Sequence, residues 1–313
     1  MRCLALTGGV GGAKLALGLA KRLGPEELLI VGNTGDDFEH LGLKICPDLD
    51  TVMYTLAELS NKELGWGQAG ETWHFLESLE RLGGEGWFRL GDRDMATHIQ
   101  RTELLRQGKP LSVVTSSLCE NLGVSHPIIP MTDDPVATRV HVKNGDVLAF
   151  QHYFVRDRCQ PKVTGFEFEG LDQAQPTDEF ANALNSALDC ILICPSNPFV
   201  SVDPVLKLPG VEHACRSHSA PVIAVSPIIG GQAIKGPAAK MMAELGMPQS
   251  ALAVAKHYVG RIDGFVIDHA DEALKPEIEQ LGMRCMVTQT LMTNLDDRIQ
   301  LAGDCLEFCS EFS

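Results

Sequence analysis

Four glycines and a lysine, in Thr7-Gly8-Gly9-Val10-Gly11-Gly12-Ala13-Lys14, directly follow the apolar run Cys3 to Leu6 and precede a helix-like stretch, Leu15 to Leu23. Glycines after a strand let the backbone turn sharply and approach a ligand. The helix that follows then points N–H groups and positive dipole at an anion. The chemistry implied is phosphate binding by main chain. The loop is not a Walker A motif, because Leu15 rather than Ser or Thr follows Lys14. Nor is it the Rossmann fingerprint, because position 14 lacks the third glycine. The bland alternative is a tight strand–helix turn.

Acids recur where strands should end: Asn33-Thr34-Gly35-Asp36-Asp37, Pro47-Asp48-Leu49-Asp50-Thr51, Gly91-Asp92-Arg93-Asp94 and Thr132-Asp133-Asp134-Pro135. Any one of these reads more readily as a turn or a helix cap, Asp50 before Thr51 included. Four together predict convergence on one crevice, since ligands of open α/β sheets lie outside the carboxyl ends of the strands. Carboxylates there suit Mg²⁺ held against substrate phosphates.

Trp87 to His98 packs Arg89, Arg93, Asp92, Asp94 and His98 into twelve residues. Arginine offers a planar fork for phosphate or a flat face for a ring system. The alternative is a salt-bridged helix start with His98 packed or solvated. Cys194-Pro195-Ser196-Asn197-Pro198 and Val225-Ser226-Pro227-Ile228-Ile229-Gly230-Gly231 expose main-chain groups to a ligand or are merely loops. Lys235 is a phosphate contact or a solvated lysine. No Gly-x-Ser-x-Gly or His-Glu-x-x-His is present, which disfavours a covalent hydrolase.

The elements that must position these residues read as α/β. Strands are expected at Cys3 to Leu6, Leu28 to Val31, Val113 to Thr115, Ile128 to Met131, Arg139 to Gln151, Cys190 to Cys194, Pro221 to Val225 and Gly264 to Ile267. Compact apolar runs ending in small or polar residues suit buried parallel strands. The expectation is an α/β fold with a mostly parallel sheet and with helical and small β-rich insertions. One domain spans 1-313, with the helical insertion around 51-108 and the β-rich elaboration around 140-185.

The 313 residues carry 26 Lys and Arg against 41 Asp and Glu, a formal charge of −15. That argues against nucleic acid and anionic membranes as partners, since both attract positive faces. No run approaches the 18 apolar residues of a membrane span, and the N-terminus does not read as a secretory signal. Ten scattered cysteines without a Cys-x-x-Cys pair argue against a disulfide framework or zinc. A cytoplasmic enzyme is expected.

Taken in order, Gly8 to Lys14, Asn33 to Asp37, Cys46 to Thr51, Leu90 to His98, Met131 to Val136, Pro195 to Pro198, Val225 to Gly230 and Thr290 to Thr293 resemble the 2-phospho-L-lactate transferase family of coenzyme F-420 biosynthesis. The resemblance implies transfer of a phospho-three-carbon-acid group (phospholactyl, phosphoenolpyruvyl or phosphoglyceryl) from a guanylylated donor. The acceptor would be 7,8-didemethyl-8-hydroxy-5-deazariboflavin, with GMP released. It also implies a Rossmann-like, mostly parallel sheet, Mg²⁺ dependence and a homodimer. By position, Asp50 and Arg89 match the family's deazaflavin contacts. Asp50 is the expected base with Asp48 as the alternative, Arg93 is an expected catalytic cation, and Asp36, Asp37 and Asp48 are the metal candidates. Gly8, Gly9, Gly11, Gly12, Lys14, Asn33, Thr34, Ser196, Asn197, Ser226 and Gly230 are expected to face substrate. The other readings are a nucleotide-sugar-binding regulator of carbon metabolism with a related fold, and, with less support, a nicotinamide dehydrogenase.

Overall fold

The computed structural model describes residues 1–63, 65–233 and 236–312; Lys235 lies outside them. Seven strands pair in parallel: β1 (Cys3–Thr7), β2 (Leu28–Gly32), β3 (Ile128–Pro130), β4 (Cys190–Ile193), β5 (Val222–Val225), β6 (Gly264–Asp268) and β7 (Arg284–Thr288). Their spatial order is β3-β2-β1-β4-β5-β6-β7. This is the Rossmann order 3-2-1-4-5-6 with one strand added, and it reverses direction between β1 and β4.

Alternation along each strand splits the core in two. Leu4, Leu6, Ile191, Ile193, Val222 and Ala224 enter one apolar cluster, while Cys3, Ala5, Leu28, Ile30, Cys190 and Leu192 enter the other. A period of two sends neighbours to opposite faces, so every inner strand is apolar throughout. The second face is covered by α1 (Gly9–Ala20), α2 (Pro47–Leu56), α5 (Leu111–Asn121) and the C-terminal helix Leu295–Ser310. Between α2 and α5 lie α3 (His74–Arg81) and α4 (Asp92–Arg106). A three-stranded antiparallel sheet, with Ala137–Val142 between Val147–Ala149 and Val163–Glu169, packs on the other face.

Three local expectations are corrected. Val113 to Thr115 is not a strand but part of α5. Leu111, Val114, Thr115, Leu118 and Cys119 are buried at helical spacing, a period that shows only in a window longer than the apolar triplet. Arg139 to Gln151 is two strands joined by a turn, and its last two residues already leave the sheet. Cys190 and Cys309 form a disulfide across 119 residues, so spacing alone could not reveal it. It is one bond from β4 to the C-terminal helix, and the other eight cysteines are free.

Two elements were not expected. β7 is an edge strand whose residues are mostly part-exposed, so it lacks the apolar run that marks the inner strands. The hairpin Phe38–His40 with Leu43–Ile45 turns through Leu41 and Gly42, both at positive φ (53° and 72°). That is type I′ turn geometry, with Leu where Asn or Gly is usual. No helix among the described residues is long and apolar enough to cross a membrane.

Gly18 marks the closest approach of α1 to the C-terminal helix. A Cβ there would run into the Arg298 carbonyl, which is main chain and cannot rotate away. Gly18→Ala should therefore lower stability by about 1–3 kcal/mol, although alanine is the better helix former by about 1 kcal/mol. Urea unfolding measures this, and an unchanged or raised midpoint would mean that the helices separate without cost.

Candidate active site

The carboxyl ends of β1 and β4 open onto a cavity of about 600 Å³, a volume suited to a nucleotide-sized ligand. The glycine loop forms its floor. Gly8 donates its N–H to Ser196 Oγ at 3.1 Å, and that hydroxyl donates back to the Gly8 carbonyl at 2.8 Å. Both functions of Ser196 are thus spent holding the loop. A Cβ on Gly11 would meet the Pro195 carbonyl, and one on Gly12 would meet Thr7 and Ser196. Gly11 is therefore required for the packing of the loop on the Pro195 carbonyl, the role a tight strand–helix turn would give it.

Asp36 and Asp48 reach the cavity, and both are buried. Asn33 donates its amide to Asp36 Oδ1 and to Asp48 Oδ2, each at 3.0 Å, and accepts from the Gly35 N–H at 2.8 Å. Asp48 Oδ1 takes the first N–H of α1, from Gly9, at 2.6 Å. Burial pushes Asp48 up to about 6, against the lowering pull of its bonds from Asn33 and Gly9. Burial, then the charges of Asp48 and Asp37, drives Asp36 well above the ordinary carboxylate range. Two buried acids on one amide suit a Mg²⁺ whose remaining ligands are water and substrate phosphate.

Asp37 does not join them. It faces Lys44 on the hairpin at 3.2 Å, and it does not line the cavity. Among the described residues no group of three His, Cys, Asp or Glu is arranged to hold a metal. The other acid groups serve the scaffold. Asp133 caps α5 through the Ser112 N–H (2.6 Å) and hydroxyl (2.8 Å), and Asp134 accepts from the Gln175 N–H. Asp92 gathers Thr72, His74 and Phe75 at the start of α3. Asp94 accepts from Tyr54 at 2.7 Å and pairs with His98 at 3.3 Å. Only two of the four acid groups converge.

Asp50 does not reach the cavity either. Its carboxylate is buried against the Arg101 guanidinium, with Nη1 to Oδ2 at 3.1 Å and Nη2 on Oδ1, and His98 Nδ1 lies 3.7 Å away. It is not the cap of α2, whose N-cap is Cys46. Residues two apart on a helix point in nearly opposite directions, so Asp48 faces the cavity and Asp50 faces α4. His98 is packed, only 1% exposed. Arg93 is exposed and bonds the Ala69 carbonyl at 3.0 Å, outside the cavity.

Of the other expected residues, Gly8, Gly9, Gly11, Lys14, Arg89, Ser196, Asn197 and Ser226 line the cavity. Lys14 Nζ donates to the Met292 carbonyl at 2.8 Å, and Arg89 lies over Trp73 at 4.4 Å. Gly12, Asn33 and Thr34 are buried beneath the floor, and the exposed Gly230 instead bonds Asp271.

The far wall is aromatic. Trp66, Trp87 and Phe88 come from the region between α2 and α4, and Phe150 and Phe154 come from the connection between Val147–Ala149 and Val163–Glu169 of the small antiparallel sheet. Trp87 packs edge-on to His40 and His152 at about 5 Å, and Phe150 stacks on Phe154 at 5.5 Å. Trp66, Phe150, Gln151, Phe154 and Arg158 carried no motif; only the two strained residues at Arg158 and Cys159 (φ 51° and 56°) mark their segment. Left-handed non-glycine residues cost about 1–3 kcal/mol each. They follow a π-helical turn, His152–Arg156, a distortion common beside functional sites.

The Asp50–Arg101 pair makes a stability prediction. Asp50→Asn should destabilise by about 3–5 kcal/mol, because it leaves a buried guanidinium without its counter-charge. The double variant Asp50→Leu/Arg101→Met should lose less than Asp50→Asn alone. Urea unfolding of the parent and the two variants measures both, and a near-parent midpoint for Asp50→Asn would mean that the pair is not what joins α2 to α4.

A family model described as 2-phospho-L-lactate transferase CofD matches residues 3–293. The phosphoenolpyruvate transferase of Streptomyces griseus is 41% identical over 316 residues, covering 99% of each chain. That of Streptomyces coelicolor is 42% identical with the same coverage, and that of Thermobifida fusca is 42% identical over 87% of each. A UPF0052-family protein of Bacillus halodurans, known from a crystal structure, aligns with a TM-score of 0.62 over 97% of this chain and 98% of that one. At 14% identity it shares the fold alone. Matched along nearly its whole length by model and by relatives, the chain belongs to the 2-phospho-L-lactate transferase family.

Proposed function

We propose that the chain transfers a phosphoenolpyruvyl group from its guanylylated donor to the terminal hydroxyl of 7,8-didemethyl-8-hydroxy-5-deazariboflavin, releasing GMP. The observation that carries this reading is a single cavity with two chemistries. One end offers main-chain N–H groups of a glycine loop beside Asp36 and Asp48, and the other offers aromatic faces for a flat ring. The names of the Streptomyces relatives favour phosphoenolpyruvyl over phospholactyl or phosphoglyceryl. A cytoplasmic homodimer is part of the same proposal.

The reaction is a displacement at the phosphorus next to the acid. The acceptor oxygen bonds to that phosphorus, the bridging oxygen leaves with GMP, and the hydroxyl proton passes to a carboxylate. Asp48 takes that role in place of Asp50, because it is the acid of α2 that faces the cavity. Its elevated proton affinity, at about 6, suits a base working near neutrality. Mg²⁺, held by Asp36, would neutralise phosphoryl charge, which leaves Asp48 to accept the proton. The loop amides and Lys14 would orient the phosphates, and Arg89 would flank the acceptor ring.

Purified protein given the acceptor, magnesium and each of the three guanylylated acids in turn should yield one dominant product by mass spectrometry, the phosphoenolpyruvyl adduct. Excess EDTA should stop the reaction. A dominant phospholactyl or phosphoglyceryl product would correct the acid, and no product from any donor would refute the transferase reading.

The base makes a separate prediction. Protonation of Asp48 removes the proton acceptor, so kcat/KM should fall as pH drops through about 6. Asp48→Asn should lower kcat by about 10²–10⁴ and abolish that limb of the profile. An unchanged acidic limb in the variant would assign it to another group.

A further inference from the structure

We infer that Arg158 binds the carboxylate of the acid being transferred, and so selects donors that carry one. This rests on the proposed transferase reaction and names a contact within it. Arg158 lines the cavity, and its side chain makes no hydrogen bond or ion pair with any described residue. The other cations on the cavity are engaged: Lys14 bonds the Met292 carbonyl, and Arg89 covers Trp73.

The donor presents two phosphates and one carboxylate. The glycine loop and Lys14 serve phosphates, and Asp36 and Asp48 repel a carboxylate at that end. A guanidinium on the opposite wall supplies the planar fork that a carboxylate accepts through two parallel bonds.

The backbone holds Arg158 there against its own preference. Arg158 and Cys159 both sit in the left-handed region, and the Cys159 N–H bonds the carbonyl of the buried Tyr153 at 2.8 Å. At the start of the same segment, the Gln151 amide bonds the Asp36 carbonyl at 3.2 Å. Phe150, Phe154 and Arg158 follow at intervals of four and share the cavity wall. The start of the segment is thereby tied to the Asp36 main chain, and Arg158, seven residues on, is exposed. Backbone strain maintained at a cavity wall is the mark of a placed side chain.

The test compares two donors, guanylylated phosphoenolpyruvate and its carboxamide counterpart, on the parent, Arg158→Gln and Arg158→Gly. Both variants should lose about ten- to a hundredfold in kcat/KM on the carboxylate donor, the usual loss for a hydrogen bond to a charged group. They should change by no more than about twofold on the amide, where that charge is absent, and the acceptor KM should not move. Arg158→Gly relieves the left-handed strain, so it should melt no lower than the parent. A loss confined to one donor in a protein of full stability is a binding effect rather than a folding one. Equal losses on both donors, a shift only in acceptor KM, or parent-like turnover by Arg158→Gly would each overturn the inference. A parent inactive with either donor would instead overturn the transferase reading beneath it.

Discussion

Asn33 donates to Asp36 and to Asp48, and thereby holds together two buried carboxylates that would otherwise repel each other. Its own carbonyl is pinned by the Gly35 N–H, which fixes the orientation of the amide. Asp48 then accepts the first N–H of α1 and joins the glycine loop to α2. A helix N-terminus favours an anion, and here the first anion it meets is the protein's own. The amides of Gly8 and Gly9 are thus taken up within the protein, by Ser196 and by Asp48.

The back of α2 is fixed just as firmly. Asp50 and Arg101 form a buried pair to α4, with His98, Asp94 and Tyr54 bonded around it. Burial opposes ionisation of Asp94, yet the bonds from His98 and Tyr54 and the charge of Arg101 hold it below its usual value. A buried pair adds little net stability over apolar residues of the same size. It does fix rotation, and a rotated α2 would carry Asp48 out of the cavity. The acid that faces the cavity and the acid that ties α2 to α4 thus sit two residues apart on one helix.

That adjacency explains what could be read from the sequence and what could not. The strands around the switch point were legible because burial on both faces makes each a continuous apolar run, and the glycine loop because its residue types are rare together. The direction of each acid was not. Asp36 and Asp37 are neighbours, yet one faces the cavity and the other faces Lys44. Asp133 looks like a strand-end ligand but caps α5, a helix over Val113 to Thr115 that a three-residue apolar window disguises as a strand. Motif order places a residue near the site. Only packing decides which way it points. Trp66, Phe150, Phe154 and Arg158 were illegible for the converse reason: they carry no pattern, and segments distant in sequence bring them together.

The two ends of the cavity consequently rest on different foundations. The glycine-loop end is built on β1, β2 and β4, whose register sets Thr7 opposite Gly32 and Leu6 opposite Ile193. Close packing of Gly11 on the Pro195 carbonyl leaves no room for a side chain there. The aromatic end is carried by the region between α2 and α4 and by the connection between Val147–Ala149 and Val163–Glu169, where most side chains are part-exposed or exposed and the backbone departs from regular geometry. Substitutions on that wall alter shape and charge without disturbing the sheet, whereas substitutions on the floor disturb both. The glycine loop and Asp48 are held by β1, α1 and α2, whereas the aromatic wall comes from loops and a π-helical turn.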